Sequence, residues 1–430
     1  MRVLLTVHQF LPKYSFGTER VTFDVGRELL SRGHEVYVLT TDTASPSLPH
    51  KKVWDYDYRG LKVRVIGLNM QGTPDPLRYE FDNPEMAAVM RCYVEEIQPD
   101  VVHVMHAGRL SGSIIPVAKE FGLPVIFTAT DFWSLCRVIH LKRADTGELC
   151  LGPDRAGTNC LRCYIARLKV SQEAKDTYLK KSDLWLRASV AAAESPIARA
   201  TKRMHRTRTV VERIAFLKNA INMADLVIAP TRLTRDLLIR NGIDPSLVRL
   251  SHYGVDTSDI DTAPRSSVKP STLRIGYIGT LASHKGVDLL IKAFKGIPRD
   301  MMPAKLKIYG SPRRPPDYFK ELTRLAEGDR RIDFAGTFDT EKIGWVFSEI
   351  DVLVVPSRWY ENAPLVVYAA FASGTPVIAT KLGGLTELVQ HGKNGLLFPV
   401  NNAKKLNAQL LRFYFEPNLL GRLRAGIQPV

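Results

Sequence analysis

The stretch from Asp351 to Val400, DVLVVPSRWYENAPLVVYAAFASGTPVIATKLGGLTELVQHGKNGLLFPV, leaves few architectures open. DVLVV is an unbroken apolar run, the pattern of a parallel strand buried on both faces. PSRWYEN then reads as a loop that delivers Glu361 and Asn362 to a helix start, with Asn362 as the N-cap and Pro364 in the first turn. The helix PLVVYAAFAS ends at Gly374, a C′ glycine. A second strand, PVIAT, follows, and the Gly383–Gly384 turn opens a further short helix, LTELVQ. Two strand ends and two helix starts therefore meet at one edge of a parallel sheet. Free N–H groups and positive helix ends collect there, which suits a phosphate-bearing ligand. Glu361 at the same edge repels phosphate, so its carboxylate is expected to accept hydrogen bonds from hydroxyls. The pattern predicts an anionic group and a polyol bound side by side.

The rest of the chain repeats this logic. RVLLTVH, a helix from Thr18 to about Leu30, and EVYVLTT form a strand–helix–strand unit of parallel α/β type. LKVRVIG, DVVHVMH, PVIFTAT and DLVIAP supply further strands, with helices at Pro84–Ile97, at Leu110–Phe121 and from Thr231. After VRLSHYGVD, residues 257–272 are poor in apolar groups and read as a linker. LRIGYIG, a helix from Gly286, LKIYG, a helix within Asp317–Glu327, RIDFAGT and a helix near Glu341–Ile350 then lead back to DVLVV. The expected fold is α/β: two Rossmann-like, doubly wound parallel-sheet domains, residues 1–256 and 273–430, facing a ligand cleft. A length of 430 residues accommodates that division. No run approaches the ~20 apolar residues that span a bilayer, and MRVLLTVHQF turns polar too soon for a signal peptide. A cytoplasmic protein is expected.

Several groups invite chemistry. Gly17, ahead of Thr18–Glu19, either lets backbone approach a phosphate or merely begins a helix. Lys285 follows a strand and a glycine turn, where it reaches a diphosphate or stays a solvated loop lysine. His103 reads as a hydrogen-bonded core histidine, whereas His106 lies at the C-terminal end of its strand, where open α/β sheets bind ligands. Residues 132–164 form a Cys-rich loop with Cys136, Cys150, Cys160 and Cys163 inside 28 residues, ending in C-x-x-C. That set is compatible with a structural four-thiolate zinc site; free thiols or a disulfide are the alternatives. Residues 165–223 read as a basic helical insertion, with Arg199, Lys202, Arg203, Arg206, Arg208 and Arg213 among Leu184, Trp185, Leu186, Ile197 and Met204. With a net charge of +16, this is either a surface for anionic lipid or a solvated basic face. No motif for nucleic acid accompanies it.

The segments Pro356–Ser357, Glu361–Pro364, Gly374–Ile378 and Gly383–Gly384 with Glu387 resemble the signature of GT-B glycosyltransferases of family 4, and the resemblance spans essentially the whole chain. Gly17 with Glu19, Arg32–Val36, and His252 with Gly254–Asp256 match it in the first half. It implies a retaining transferase that moves a sugar from a nucleotide-diphosphate donor to a glycan or lipid-linked acceptor, in cell-surface polysaccharide assembly, at the inner face of the membrane. No cofactor is implied for the chemistry. Catalytic roles fall on Glu361, Lys285 and Asp131. Donor contacts fall on Gly17, Lys285, Glu361, Asn362, Ala363, Pro364, Gly383 and Gly384, with Gly336, Thr337 and Phe338 near the base.

Three positions depart from the family pattern. Thr130 stands where many members carry His, Thr280 where an Arg pairs with the Lys, and Ala369 where a second Glu grips the ribose. Phe16 also replaces a first glycine. Arg358 is a candidate to compensate for Thr280. The departures keep open a non-catalytic GT-B protein or binding subunit. By the same resemblance a final helix that returns to the first domain is implied, and the sequence as given is expected to end before it.

Overall fold

The computed structural model describes residues 1–43, 49–69, 73, 75–154, 156–193, 202–261, 270–301, 303–312 and 317–428, the side chains of 193 and 202–204 excepted. The chain divides into two compact units, Met1–His252 and Tyr253–Val430. Tyr253–Asp256, assigned from sequence to the first domain, thus falls in the second unit. Ile260 is buried in the second unit's core, so its packing begins before the expected strand at Leu273.

The first unit holds an eight-stranded sheet. Its strands are β1 (Arg2–Thr6), β2 (Glu35–Asp42), β3 (Val53–Tyr58), β4 (Leu61–Gly67), β5 (Val101–Val104), β6 (Val125–Thr128), β7 (Leu226–Ala229) and β8 (Val248–Leu250). Their order is β3-β4-β2-β1-β5-β6-β7-β8. Every neighbouring pair is parallel except the β3–β4 hairpin. The direction of winding reverses between β1 and β5, which makes their C-terminal ends the switch point of this sheet. Helix Pro84–Ile97 forms as its capping residues dictate: Asn83 accepts from the N–H groups of Glu85 and Met86, and Pro84 occupies the first turn.

The second unit holds β9 (Leu273–Ile278), β10 (Ala304–Tyr309), β11 (Ile332–Gly336), β12 (Val352–Val355), β13 (Val377–Thr380) and β14 (Gly395–Phe398). They run in the order β11-β10-β9-β12-β13-β14, all parallel. All four residues of β12 and all four of β13 are buried, as strands covered by helices on both faces must be. Each such Val or Ile contributes about 1.5–3 kcal/mol over an exposed one. Here the winding reverses between β9 and β12.

Two local expectations need correction. Asn362 does not cap the following helix, which runs Leu365–Ala372 with Pro364 at the N-cap position and no side-chain cap. The cause is steric: Pro364 keeps Ala363 out of the helical region, so the helix cannot begin at Asn362. The final segment adds a short helix, Leu419–Ala425, that was not expected; its leucines pack into the second unit's core.

The basic insertion is helical at Gln172–Leu179, Asp183–Ala193 and Lys202–Asn222. Arg199 and Ile197 lie outside the described residues, as do the side chains of Lys202, Arg203 and Met204. The remaining cations do not form one surface. Arg208 pairs with Glu212, and Arg213 is buried at 4% exposure. Leu184 and Trp185 are exposed, but Leu186 is buried.

Candidate functional site

In the second unit the loop after β9 carries Lys285 and the loop after β12 carries Glu361. Because β9 and β12 are neighbours at the switch point, the two side chains meet there. Lys285 Nζ stands 2.8 Å from Glu361 Oε1. The same oxygen accepts from Ser357 Oγ, and from Trp359 Nε1 at 2.8 Å. Among the described residues no donor reaches Oε2. Lys285 also lies 4.9 Å from the centre of the Trp359 ring, a cation–π distance. Burial opposes the charge of Glu361, but Lys285 and the three hydrogen bonds outweigh it and hold the carboxyl below its usual range. The carboxylate beside the anion site is thus neutralised by the cation expected to bind that anion. Ser357 had been named only as part of the family signature, and Trp359 had not been singled out from sequence.

Glycines hold these loops together. Gly286 has φ 73°, and a Cβ there would lie 2.1 Å from the Pro356 carbonyl oxygen. Gly384 leans on the other end of the same loop, where a Cβ would lie 2.1 Å from the Asn362 carbonyl oxygen. Its N–H donates to Glu361 O at 3.2 Å. Gly384 is therefore a packing glycine, and the helix it opens, Leu385–Leu388, has only four residues. Gly383, with φ 55°, makes the turn. Ala363 is buried, and Asn362 and Pro364 are partly exposed.

Arg358, the candidate to compensate for Thr280, is engaged between the two loops. Its guanidinium grips both oxygens of Asp288, at 2.6 and 2.7 Å, and bonds to Ser283 O and Asn401 as well. It fastens the Lys285 loop to the Glu361 loop. Ala369, the position of the second family Glu, packs in the core. Gly336 and Thr337 are exposed at the C-terminal end of the edge strand β11, while the Phe338 ring packs edge-on against Tyr309 at 5.6 Å.

The first unit has its own polar group at the β1/β5 switch point. His8, after β1, and His106, after β5, bring their ring centres to 4.2 Å. Gly108 N–H donates to His106 Nδ1 at 2.8 Å, which places the ring proton on Nε2, 3.0 Å from Asp131 Oδ2. Asp131 Oδ1 accepts from Trp133 N–H at 2.7 Å. Burial opposes its charge, but His106 and these bonds keep its carboxyl below the usual range. Asp131 thus orients His106. Thr130 donates to Met105 O at 2.9 Å.

Behind His8 lies Glu19, fully buried, with Oε1 3.5 Å from His8 Nε2. Burial raises the Glu19 carboxyl and lowers the His8 imidazole well below its ordinary value. Gly17 begins the helix Gly17–Ser31, whose N-cap residue Phe16 makes no side-chain cap bond, and a Cβ at Gly17 would meet nothing within 4 Å. His103 is the expected core histidine: its Nε2 lies 2.7 Å from Thr128 Oγ1 and burial lowers it to about 4.

Cys136, Cys150, Cys160 and Cys163 all line one cavity of about 50 Å³ in the first unit. All are free thiols. As placed, no three His, Cys, Asp or Glu side chains among the described residues stand close enough to share a metal ion.

Two doubly wound units, each with polar groups at its switch point, define a GT-B protein. Solved structures agree over the whole chain. HepE (Alr3699) of Anabaena in complex with UDP superposes with a TM-score of 0.64 at 17% identity, covering 100% of this chain and 94% of that one. Sucrose-phosphate synthase of Thermosynechococcus elongatus gives 0.64 at 19% identity, covering 99% and 92%. Residues 16–254 match the family described as "Glycosyl transferase 4-like domain", and residues 259–427 match "Glycosyl transferases group 1". The chain belongs to this family, the group 1, family-4-like glycosyltransferases. Among curated relatives, the D-inositol 3-phosphate glycosyltransferase of Streptomyces bingchenggensis is 30% identical over 231 residues, half of each chain. The sulfoquinovosyl transferase SQD2 of Arabidopsis thaliana is 29% identical over 200 residues, 43% of this chain and 36% of that one. The chain thus spans about half or less of the length of these curated relatives. Among the described residues no helix is long and apolar enough to cross a membrane.

Proposed function

We propose that the chain transfers a sugar, with retention, from a nucleotide-diphosphate sugar to a glycan or lipid-linked acceptor in cell-surface polysaccharide assembly. The observation that carries this reading is the Lys285–Glu361 pair at the β9/β12 switch point. On donor binding Lys285 turns toward the diphosphate and meets the charge that develops as it departs. Glu361, held through Oε1 by Ser357 and Trp359, offers Oε2 to the hydroxyls of the sugar. The helix that Gly17 begins in the first unit carries no side-chain cap. In the first unit Asp131 holds the His106 imidazole with its proton on Nε2. HepE has been solved with UDP, with UDP and glucose, and with UDP-glucose, which supports a nucleotide-sugar donor here and makes UDP-sugars the first to try. A net charge of +16 supports work at an anionic membrane surface.

A non-catalytic reading has two observations in its favour: Arg358 is engaged by Asp288, and Ala369 is packed in the core, so neither supplies the donor contact that relatives make. One experiment separates the two readings. Purified protein is offered UDP-, GDP-, ADP- and dTDP-sugars, with Lys285→Ala and Glu361→Ala alongside. Binding and turnover of one donor, abolished in both variants, supports the transferase. Folded protein that binds no donor overturns it, and binding without turnover across a panel of lipid-linked and soluble acceptors favours the binding subunit.

A further inference from the structure

Arg213 is a buried charge that neither switch-point site uses. It sits in the helix Lys202–Asn222 at 4% exposure, donates one Nη2 bond to Trp133 O, and lies 5.3 Å from the Trp133 ring. Its buried Nε has no hydrogen-bond partner. Burying a guanidinium costs several kcal/mol unless anions answer it; the carboxylates that act on Arg213, Glu80 and Asp131, are already held by Arg137 and His106.

The cavity that Arg213 lines holds the groups for a further anion. Cys136, Cys150, Cys160 and Cys163 share its wall with Arg137, Lys142 and Arg167, and no Asp or Glu side chain lines it. Cys160 and Cys163 stand one turn apart on the helix Thr158–Ala166, so their side chains share a face. Cys150 follows a small hairpin closed by the Lys142–Leu149 bridge, and Cys136 lies on a loop; closing on one ion requires these sulfurs to move in from where they stand. Cys163 accepts from Ala144 N–H at 3.3 Å and its thiol lies 4.0 Å from Asp145 Oδ1; Cys150 donates to Gly152 O at 3.2 Å and accepts from the Asn159 side-chain amide at 3.7 Å. A volume of about 50 Å³ has room for an ion but not for a sugar.

We propose that Cys136, Cys150, Cys160 and Cys163 close around one zinc ion, and that Arg213 is the buried counter-ion of the resulting thiolate centre. The four thiols lose four protons and form four Zn–S bonds, so Zn²⁺ plus four neutral thiols gives a centre of net charge −2 and four released protons. That charge answers both the orphaned Arg213 Nε and the excess of cations on the wall. Four soft sulfur ligands in a tetrahedron select zinc among the divalent ions, and they leave no position open for substrate, so the centre is structural. It fixes residues 136–163, a stretch with few strands or helices of its own, against the long helix that carries Arg213.

The test uses the full chain, purified without chelator. One zinc per chain is expected by elemental analysis, with one thiol (Cys92) reactive toward Ellman's reagent in the native protein and five after denaturation in chelator. Exchange for Co²⁺ should give the intense charge-transfer and d–d bands of a tetrahedral four-thiolate site. Arg213→Gln should keep the fold and release zinc to a competing chelator roughly 10–100-fold more readily, as loss of a partner outside the ligand shell does. Cys160→Ser should lose the metal; if that variant does not fold, the thiol count and cobalt spectrum of the unaltered chain decide. Metal-free protein with five reactive thiols, a disulfide among the four found by mass spectrometry, or bound iron with sulfide would each overturn the proposal. So would zinc content unchanged in folded Cys160→Ser.

Discussion

Lys285 and Glu361, 76 positions apart in the chain, are joined by a 2.8 Å bond that depends on β9 and β12 being neighbours. Removing only the cation leaves a buried carboxylate with its charge unanswered. Lys285→Met should therefore cost about 2–4 kcal/mol in urea unfolding, toward the lower end because Lys285 keeps some solvent access. The double variant Lys285→Met with Glu361→Gln should recover most of that loss while staying inactive with any donor. A single variant within about 0.5 kcal/mol of the parent would reduce the pair to a surface contact.

Acid should destabilise the first unit before the carboxylates titrate. The unfolded chain protonates His103 at its ordinary 6.5, whereas the folded chain resists until about 4. Between those values the unfolded state binds more protons, so stability falls as pH drops from about 6.5 to about 4. His8 acts in the same direction and Glu19, with its raised carboxyl, in the opposite one, so the comparison with a variant is the clean measurement. His103→Gln should remove a contribution on the order of 2 kcal/mol across that window. Parallel pH profiles for the two proteins would contradict this.

The glycines divide into two kinds. Gly286→Ala and Gly384→Ala drive a methyl into backbone carbonyls and should cost about 1–3 kcal/mol each, with loss of donor binding. Gly17→Ala meets open space, so its thermal midpoint should be unchanged. If Gly17 lets a phosphate approach, that variant should raise the KM for the donor while remaining folded; an unaltered KM would make Gly17 a helix start and nothing more.

Asp131→Asn keeps a partner for Trp133 N–H but can turn an amide N–H toward the proton on His106 Nε2. The imidazole should then change tautomer or orientation. A fall in kcat of about 100-fold or more is expected if His106 acts on reacting groups, with little change in thermal midpoint. An unchanged kcat would confine the pair to structure.

Much of the architecture could be read directly. The strand runs DVLVV and PVIAT, and the Asn83–Pro84 start signal, are local patterns with local causes. β3 (VWDYDY) escaped because it is an antiparallel edge strand whose alternate residues are exposed, so it lacks the apolar run that marked its neighbours. β14 (GLLF) is four residues long behind a turn at Gly392. Lys285 and Glu361 were legible one by one from their loops, but their pairing was not, since it depends on strand order. Arg358 illustrates the same limit. Its charge suggested a phosphate ligand, yet Asp288, on the first turn of the neighbouring helix, takes it, and nothing in the local sequence specifies that partner. Arg213 read as one more surface cation because burial of the long helix is decided by Phe81 and the helices it packs on rather than by its own weak periodicity.

The loop from Pro356 to Asn362 is wedged at both ends, by Gly286 against one carbonyl and Gly384 against the other, with Arg358 tying down its middle. Its freedom was surrendered when the chain folded, not when a ligand arrives. A donor meeting these residues diverts little of its binding free energy into ordering them, and the backbone here should shift by no more than about 1 Å between empty and occupied protein. If Glu361 receives the donor sugar as proposed, selectivity comes from rejection: a sugar whose hydroxyl does not reach Glu361 finds a wall that will not move to meet it.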